Sequence, residues 1–372
     1  MSISSLNHFS ELVLKHLFVS QNSTGNLAFS GAGIYSLMAV ISVGLNGRTN
    51  DQLTRFLKTD FGELRNTRLW RQSRLREVLK MAREDLESKF RYSMVIFHGI
   101  DFKEHFLNIY KEIINTPPKR TKFSNPVESM REMNLWMELA SQRRVTNMFS
   151  KSVIHEGALV LANSIVLEIS KQDWFPQSLK SKDLFNPIHG RSFVVRIIDK
   201  LGNYKIFEDN EERANYLFLP FPGNDFFAVI VLPHEDQSIT DFLKRTKPNH
   251  LAPAYSESRL KYLHVKIPIF NITSTLFLKD TFFNHGVTNL FTPGAADISG
   301  ISYKRGFVED VVQVASLVVN HLGNFVTEQT NFMESTMSIR SFYVNRPYMF
   351  YIYAPDTGLI LFSAIITNPN EH

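Results

Sequence analysis

The spacing of apolar and polar residues changes character along the chain. In the first third, apolar side chains recur at helical intervals over Leu6 to Phe18, Ala32 to Gly44, Thr49 to Leu57 and Leu69 to Phe90. In the last of these, Leu75, Val78, Leu79, Ala82 and Leu86 share one face. Asn50-Asp51, just after Gly47, fits a helix start. Further helices are predicted around Lys103 to Ile114 and Pro126 to Gln142, with a strand at Tyr92 to Phe97. From Leu159 onward the pattern becomes short apolar runs rich in β-branched and aromatic residues: LVLANSIVLEI, YLFLPF, FFAVIVLP, LKYLHVKIPIF, VVQVASLVV, YMFYIY and LILFSAII. Ala354-Pro355-Asp356-Thr357-Gly358 reads as the turn joining the last two. Helices first and strands later predict an α+β fold with a large sheet.

One stretch interrupts this order. Residues 320–347, NHLGNFVTEQTNFMESTMSIRSFYVNRP, form a long polar segment between two of the most apolar runs. Loops of this length inside a compact domain are uncommon and are usually functional or disordered. The loop, rather than a pocket, is therefore the first candidate for the site of function.

Composition narrows the classes. With 372 residues, 44% of them hydrophobic, the chain can bury a large core and is too apolar for disorder. No linker, composition shift or internal repeat divides it, so a single domain over residues 1–372 is expected. A net charge of +5 favours polyanions, but no nucleic-acid-binding signature accompanies it and no nucleic-acid partner is expected. The absence of cysteine excludes disulfides, thiol nucleophiles and thiolate metal sites. The histidines are scattered without an H-E-x-x-H spacing, so no metal is expected. There is no nucleophile elbow, G-x-G-x-x-G or Walker loop, and the chain does not read as an enzyme.

No apolar run is long enough for a transmembrane helix, and the amphipathic start, MSISSLNHFSELVLKHLF, is not a signal peptide. An extracellular location, as a mature or unconventionally exported protein, and a cytoplasmic one both stay open. The sequons at Asn22 and Asn271 matter only in the first case. Lys119-Arg120-Thr121-Lys122 reads as a solvated turn, and Trp136 as core.

Several segments together carry a family resemblance. GNLAFSGAGIYSLMAVISVGLNGRTNDQL (Gly25 to Leu53), LVLANSIVLEI, LFLPFPGNDFFAVIVLP, HGVTNLFTPGAADISGIS (His285 to Ser302) and FYVNRPYMFYIYAPDTGLILFSAIITNP (Phe342 to Pro369) resemble, in order, conserved stretches of the serpin family. The resemblance runs from about Leu6 to Pro369 and implies three β-sheets with about nine helices and an exposed reactive-centre loop, here about residues 324–342. Inhibitory members are suicide substrates: a protease cuts the loop, an acyl-enzyme forms, and the freed segment inserts as a new strand into the large sheet. Counted from the hinge glycine, Gly323, the reactive bond falls at Met337-Ser338. Arg340-Ser341 is the alternative, with Phe332 a weaker one. A methionine suits chymotrypsin-like or elastase-like serine proteases; an arginine suits trypsin-like ones. The inhibitor would be a monomer without a cofactor.

The same resemblance places Ser30, Asn163 and Gln313 in a polar cluster beneath the large sheet, with Gln313 where the family usually has histidine. Gly31 and Gly33 stand in place of the family's proline and serine, and Trp174 takes the place of a tryptophan near the top of the sheet. The hinge departs most. Asn324, Val326 and Glu328 would face the core on insertion, and burying an ionised Glu328 unpaired costs several kcal/mol. The acidic residues usual before Gly323 are His321 and Leu322 here. A non-inhibitory serpin, acting as a binding, carrier or chaperone module, is therefore the alternative.

In the stretch RNTRLWRQSRLREVLKMAR, Arg65, Arg68, Arg71 and Arg74 recur every third residue, with Arg76, Lys80 and Arg83 beyond. The stretch is similar by order to the helix that binds heparin in some serpins, and a glycosaminoglycan-like polyanion is one expectation. A solvated face balanced by Glu77, Glu84, Asp85 and Glu87 is the other.

Overall fold

In a computed structural model, residues 3–150, 153, 155–170, 179–223, 225–320 and 339–371 are described. The chain falls into two compact units: residues 1–16, 29–167 and 273–316 form one, and residues 17–28, 168–272 and 317–372 the other.

The helices are α1 (Ile3–Ser20), α2 (Gly31–Val43), α3 (Gly47–Leu57), α4 (Gly62–Arg65), α5 (Arg74–Lys89), α6 (Glu104–Ile114), α7 (Pro126–Ala140), α8 (Ile239–Arg245), α9 (Leu251–Glu257) and α10 (Lys279–Asn284). Helix α2 is buried along its whole length, which its near-absence of polar residues anticipates. Phe9 of α1 meets Tyr35 of α2 and Phe56 of α3 edge-on at 5.6 and 5.5 Å, the favourable aromatic geometry.

Several boundaries differ from the sequence pattern. Helix α3 begins at Gly47 behind Asn46, ahead of the start expected at Asn50-Asp51. The helix expected over Leu69 to Phe90 begins only at Arg74, behind a 3-10 turn at Trp70–Gln72. Ser73 is the reason: its Oγ accepts from Leu75 N at 3.1 Å, capping α5, and donates to Glu63 at 2.8 Å. Lys119–Arg120, expected as a turn, forms a two-residue strand.

Five strands, β2 (Arg91–His98), β3 (Lys119–Arg120), β4 (Ala158–Ser170), β10 (Phe270–Phe277) and β11 (Phe307–Asn320), make one sheet in the order β10-β11-β4-β2-β3. The nine others are β1 (Leu27–Phe29), β5 (Leu179–Phe185), β6 (Phe193–Asp209), β7 (Ala214–Pro220), β8 (Phe227–Pro233), β9 (Arg259–Pro268), β12 (Arg340–Tyr343), β13 (Tyr348–Ala354) and β14 (Leu359–Ile366). Their order is β1-β14-β13-β8-β7-β6-β9-β12, with β5 paired to β6. The expected three sheets thus form two hydrogen-bonded networks. The cause is the 17-residue β6, which pairs with β5 and β9 through its first part and with β7 at its end.

Strands β13 and β14 are buried at every position, and Gly358, at φ 73, closes the turn between them as the sequence led one to expect. Trp136 is half-buried and packs edge-on against Phe97 at 5.8 Å. Trp174 lies outside the described residues.

Candidate functional site

The polar cluster assembles as its residue types require. Ser30 caps α2, its Oγ accepting from Gly33 N at 3.3 Å. Gln313 of β11 accepts from Ser30 N at 2.9 Å through Oε1, and its Nε2 donates to Ser30 O at 3.0 Å and to Asn163 Oδ1 at 2.6 Å. Asn163 of β4 passes the chain on, donating through Nδ2 to Ser93 O of β2 at 3.1 Å. All three side chains are fully buried. One carboxamide thus holds both backbone groups of Ser30 and ties β11 to its sheet neighbour β4. Anything that parts these two strands must break that tie and leave buried polar groups unmatched.

The two glycines belong to the same construction. A Cβ on Gly33 would stand 2.8 Å from Asn163 Oδ1, and one on Gly31 would collide with the side chain and backbone of Ser10. The family's larger residues do not fit here without moving Asn163 or α1.

Asp310, three positions before Gln313 on β11, was not signalled by the sequence. Its Oδ1 accepts from Val311 N at 2.7 Å and Lys279 N at 3.1 Å, and burial pushes the carboxyl up to about 6.

The hinge residues Gly323, Asn324, Val326 and Glu328 and the bond Met337-Ser338 lie outside the described residues, as does Phe332. The alternative pair, Arg340 and Ser341, is described, and it opens β12. Arg340 is set opposite Leu263 and Ser341 opposite His264 in a parallel pairing with β9. The Arg340 guanidinium pairs with Glu208, which also accepts from Lys261 at 3.2 Å. Further along, Tyr343 Oη lies 3.0 Å from His264 Nδ1, and His264 Nε2 lies 2.6 Å from Asp199. A carboxylate only accepts, so Nε2 carries the proton and, in the neutral ring, Nδ1 accepts from Tyr343. Lys266 sits 4.6 Å over the Tyr343 ring and donates to Asp183 at 2.9 Å. Downstream, Arg346 is fixed by donation to Pro233 O at 2.8 Å.

The basic stretch is not one ridge. Arg65 ends α4 and turns inward to Ser42 O and Asn50. Arg76 pairs with Glu112, Lys80 with Glu84 and Arg83 with both Glu84 and Glu87. Arg68, Arg71 and Arg74 stay exposed around the start of α5, with Arg71 stacked 4.6 Å over Trp70. Regular spacing in sequence did not reveal the break at Ser73, which divides the predicted face.

Of the sequons, Asn22 is exposed in the turn after α1, whereas Asn271 is half-buried in β10. No helix among the described residues is long and apolar enough to cross a membrane.

A family model described as Serpin (serine protease inhibitor) matches residues 4–369. Serpin I2 of Homo sapiens is 23% identical over 366 residues, covering 95% of this chain and 88% of its own length. Antithrombin-III of Homo sapiens is 25% identical over 386 residues, covering 98% and 81%. Among solved structures, the serine protease inhibitor serpin-12 of Manduca sexta has a TM-score of 0.85 at 19% identity, covering 99% of both chains. Native protease nexin-1 with heparin has 0.84 at 20%, also over 99% of both. Matched from residue 4 to residue 369 and carrying the α+β architecture of these structures, the chain belongs to the serpin family.

Proposed function

We propose that this serpin is a monomeric suicide inhibitor of a serine protease, working as a single domain over residues 1–372 and cut at Met337-Ser338. The protease serine attacks the Met337 carbonyl, and the peptide bond to Ser338 breaks. The Ser338 nitrogen leaves as a protonated amine, and the ester remains until water reaches it or insertion distorts the protease first. The observation that carries the reading is the tied pair β4 and β11: neighbours in a five-stranded sheet, with one polar cluster between them that an entering strand would have to open.

The geometry of β12 supports Met337 over Arg340. A protease binds its substrate as an extended segment free on both sides of the cut, while Arg340 and Ser341 are paired to β9 and the guanidinium is committed to Glu208. Chymotrypsin-like or elastase-like targets follow from the thioether of Met337.

The hinge supports a second reading, a non-inhibitory binding module, because Glu328 and Val326 resist burial between strands. For either reading, the exposed trio Arg68, Arg71 and Arg74 is the place for a sulfated polyanion. An extracellular location fits the exposed Asn22 sequon; a cytoplasmic one is the alternative.

Incubation with chymotrypsin-like, elastase-like and trypsin-like proteases tests the proposal on a denaturing gel. A protease-serpin band that survives boiling in detergent, with a released peptide beginning at Ser338, is the expected result. Cleavage without that band, and without a gain in thermal stability, makes the protein a binding module.

A further inference from the structure

Strands β5 and β6 pair so that Lys182 stands directly opposite Arg196. Residues in such positions project to the same face with Cβ atoms about 5 Å apart, and like charges so placed repel. Neither cation has an ion-pair partner among the described residues, and both are exposed. The nearest acid in sequence, Asp183, points to the other face and is taken by Lys266 at 2.9 Å. A fold retains such an opposition at a net cost unless something between the two charges offsets it.

The next pair on the same face is Leu184 with Val194, and both are more than half exposed, at 54% and 56%. Beside them opens a cleft of 770 Å³, within the roughly 300–1,000 Å³ usual for ligand sites. Its lining is mixed: apolar from Val194, Ile269, Val318 and Pro369, polar from Asn271 and Asn370, and charged from Lys182 and Arg196. Asn370 closes the rim by donating to Val194 O at 3.1 Å.

We propose that this cleft binds an anionic amphiphile, a long-chain carboxylate. Its head lies between Lys182 and Arg196, and its chain runs along the wall of Val194 and Ile269. The chemistry of the two halves selects this class. A carboxylate accepts two parallel hydrogen bonds from a guanidinium and one from the ammonium, cancelling the cross-strand repulsion. Each methylene laid on the wall tightens binding roughly fourfold. A small inorganic anion leaves the wall unused, and a neutral hydrocarbon leaves the cations opposed.

Calorimetric titration of the full chain with decanoate below its micelle concentration, beside decanol, tests this. One decanoate per chain is expected, bound at least tenfold tighter than decanol, with the difference shrinking at high salt. The double substitution Lys182→Ala, Arg196→Ala should remove the preference for decanoate while leaving the thermal midpoint of the ligand-free protein equal or higher, since the repulsion is gone. Equal binding of decanol and decanoate, unchanged binding by the double variant, absence of saturable heat, or a lower midpoint of that variant each overturns the proposal. None of these readouts depends on protease inhibition.

Discussion

The two described ends of the loop region are held in opposite ways. Under the five-stranded sheet, Gln313, Asn163 and Ser30 are sealed from solvent, and each bond there has its partner inside the protein. At β12, four residues at a sheet edge pair with β9 through the main chain and are tied further by side chains that water reaches, with Arg340 55% exposed against Glu208 at 28%. The first arrangement resists salt, and its loss costs the full desolvation of the groups left behind. The second is screened by ions and is replaceable bond by bond. A protein that must hold one sheet shut while presenting a loop has a use for both kinds of attachment.

The largest effect should come from the sealed end. Gln313→Ala removes the bonds that its carboxamide makes to Ser30 N, Ser30 O and Asn163 Oδ1, and urea unfolding should show a loss of about 3 kcal/mol. Gln313→Glu should be worse than alanine near neutral pH, because a carboxylate cannot donate to Ser30 O or Asn163 Oδ1. If either variant unfolds like the unchanged protein, the cluster is not what ties β11 to β4.

A smaller effect, on the same strand, depends on pH. Burial raises the Asp310 carboxyl to about 6, against 3.8 unperturbed, so the fold binds this proton more tightly than the unfolded chain. The resulting stability is present below pH 4 and is lost as pH rises through 6. Asp183, Asp241 and Asp297 are shifted the other way, Asp183 chiefly by its bond from Lys266 and the other two chiefly by serine hydroxyls. Their contribution is complete by about pH 5, which leaves the interval from 5 to 7 to Asp310 among these groups. Subtracting the unfolding free energies of Asp310→Asn from those of the unchanged protein should give a difference that falls by about 1–2 kcal/mol across that interval. A flat difference would show the carboxyl to be ionised in the fold throughout.

What could be read in the sequence follows the same division. The runs YMFYIY and LILFSAII announce β13 and β14 because a strand buried on both faces needs nothing but apolar residues. Gln313 and Ser30, 283 positions apart, were placed together only by family resemblance, since no local pattern links them. Cross-strand register decides the partners of Arg340 and Tyr343 and the opposition of Lys182 and Arg196, and register is set by the whole sheet. The basic residues do not share one helix for a local reason: Ser73 caps α5 rather than sitting within it, so the arginines before it follow a different path. Asp310 looked like any exposed acid, because burial of a single charged residue leaves no trace in spacing.

The smallest expected effect is at the open end. Arg340→Ala removes one ion pair from β12, yet the main-chain pairing of Arg340 through Tyr343 with β9 remains, and Glu208 keeps Lys261. Exposed pairs of this kind contribute about 0.2–1 kcal/mol. Hydrogen exchange at the β12 amides should therefore quicken by no more than about fivefold at low salt, and the difference should vanish near 1 M salt, where the screening length is about 3 Å. Tyr343→Phe gives the control for the uncharged half of the staple: it removes the bond to His264 Nδ1, and its effect on exchange should persist at 1 M salt. If Arg340→Ala instead frees the whole strand at every salt concentration, the ion pair rather than the parallel ladder holds the distal arm. Arg340-Ser341 would then regain its place as a bond that a trypsin-like protease can reach.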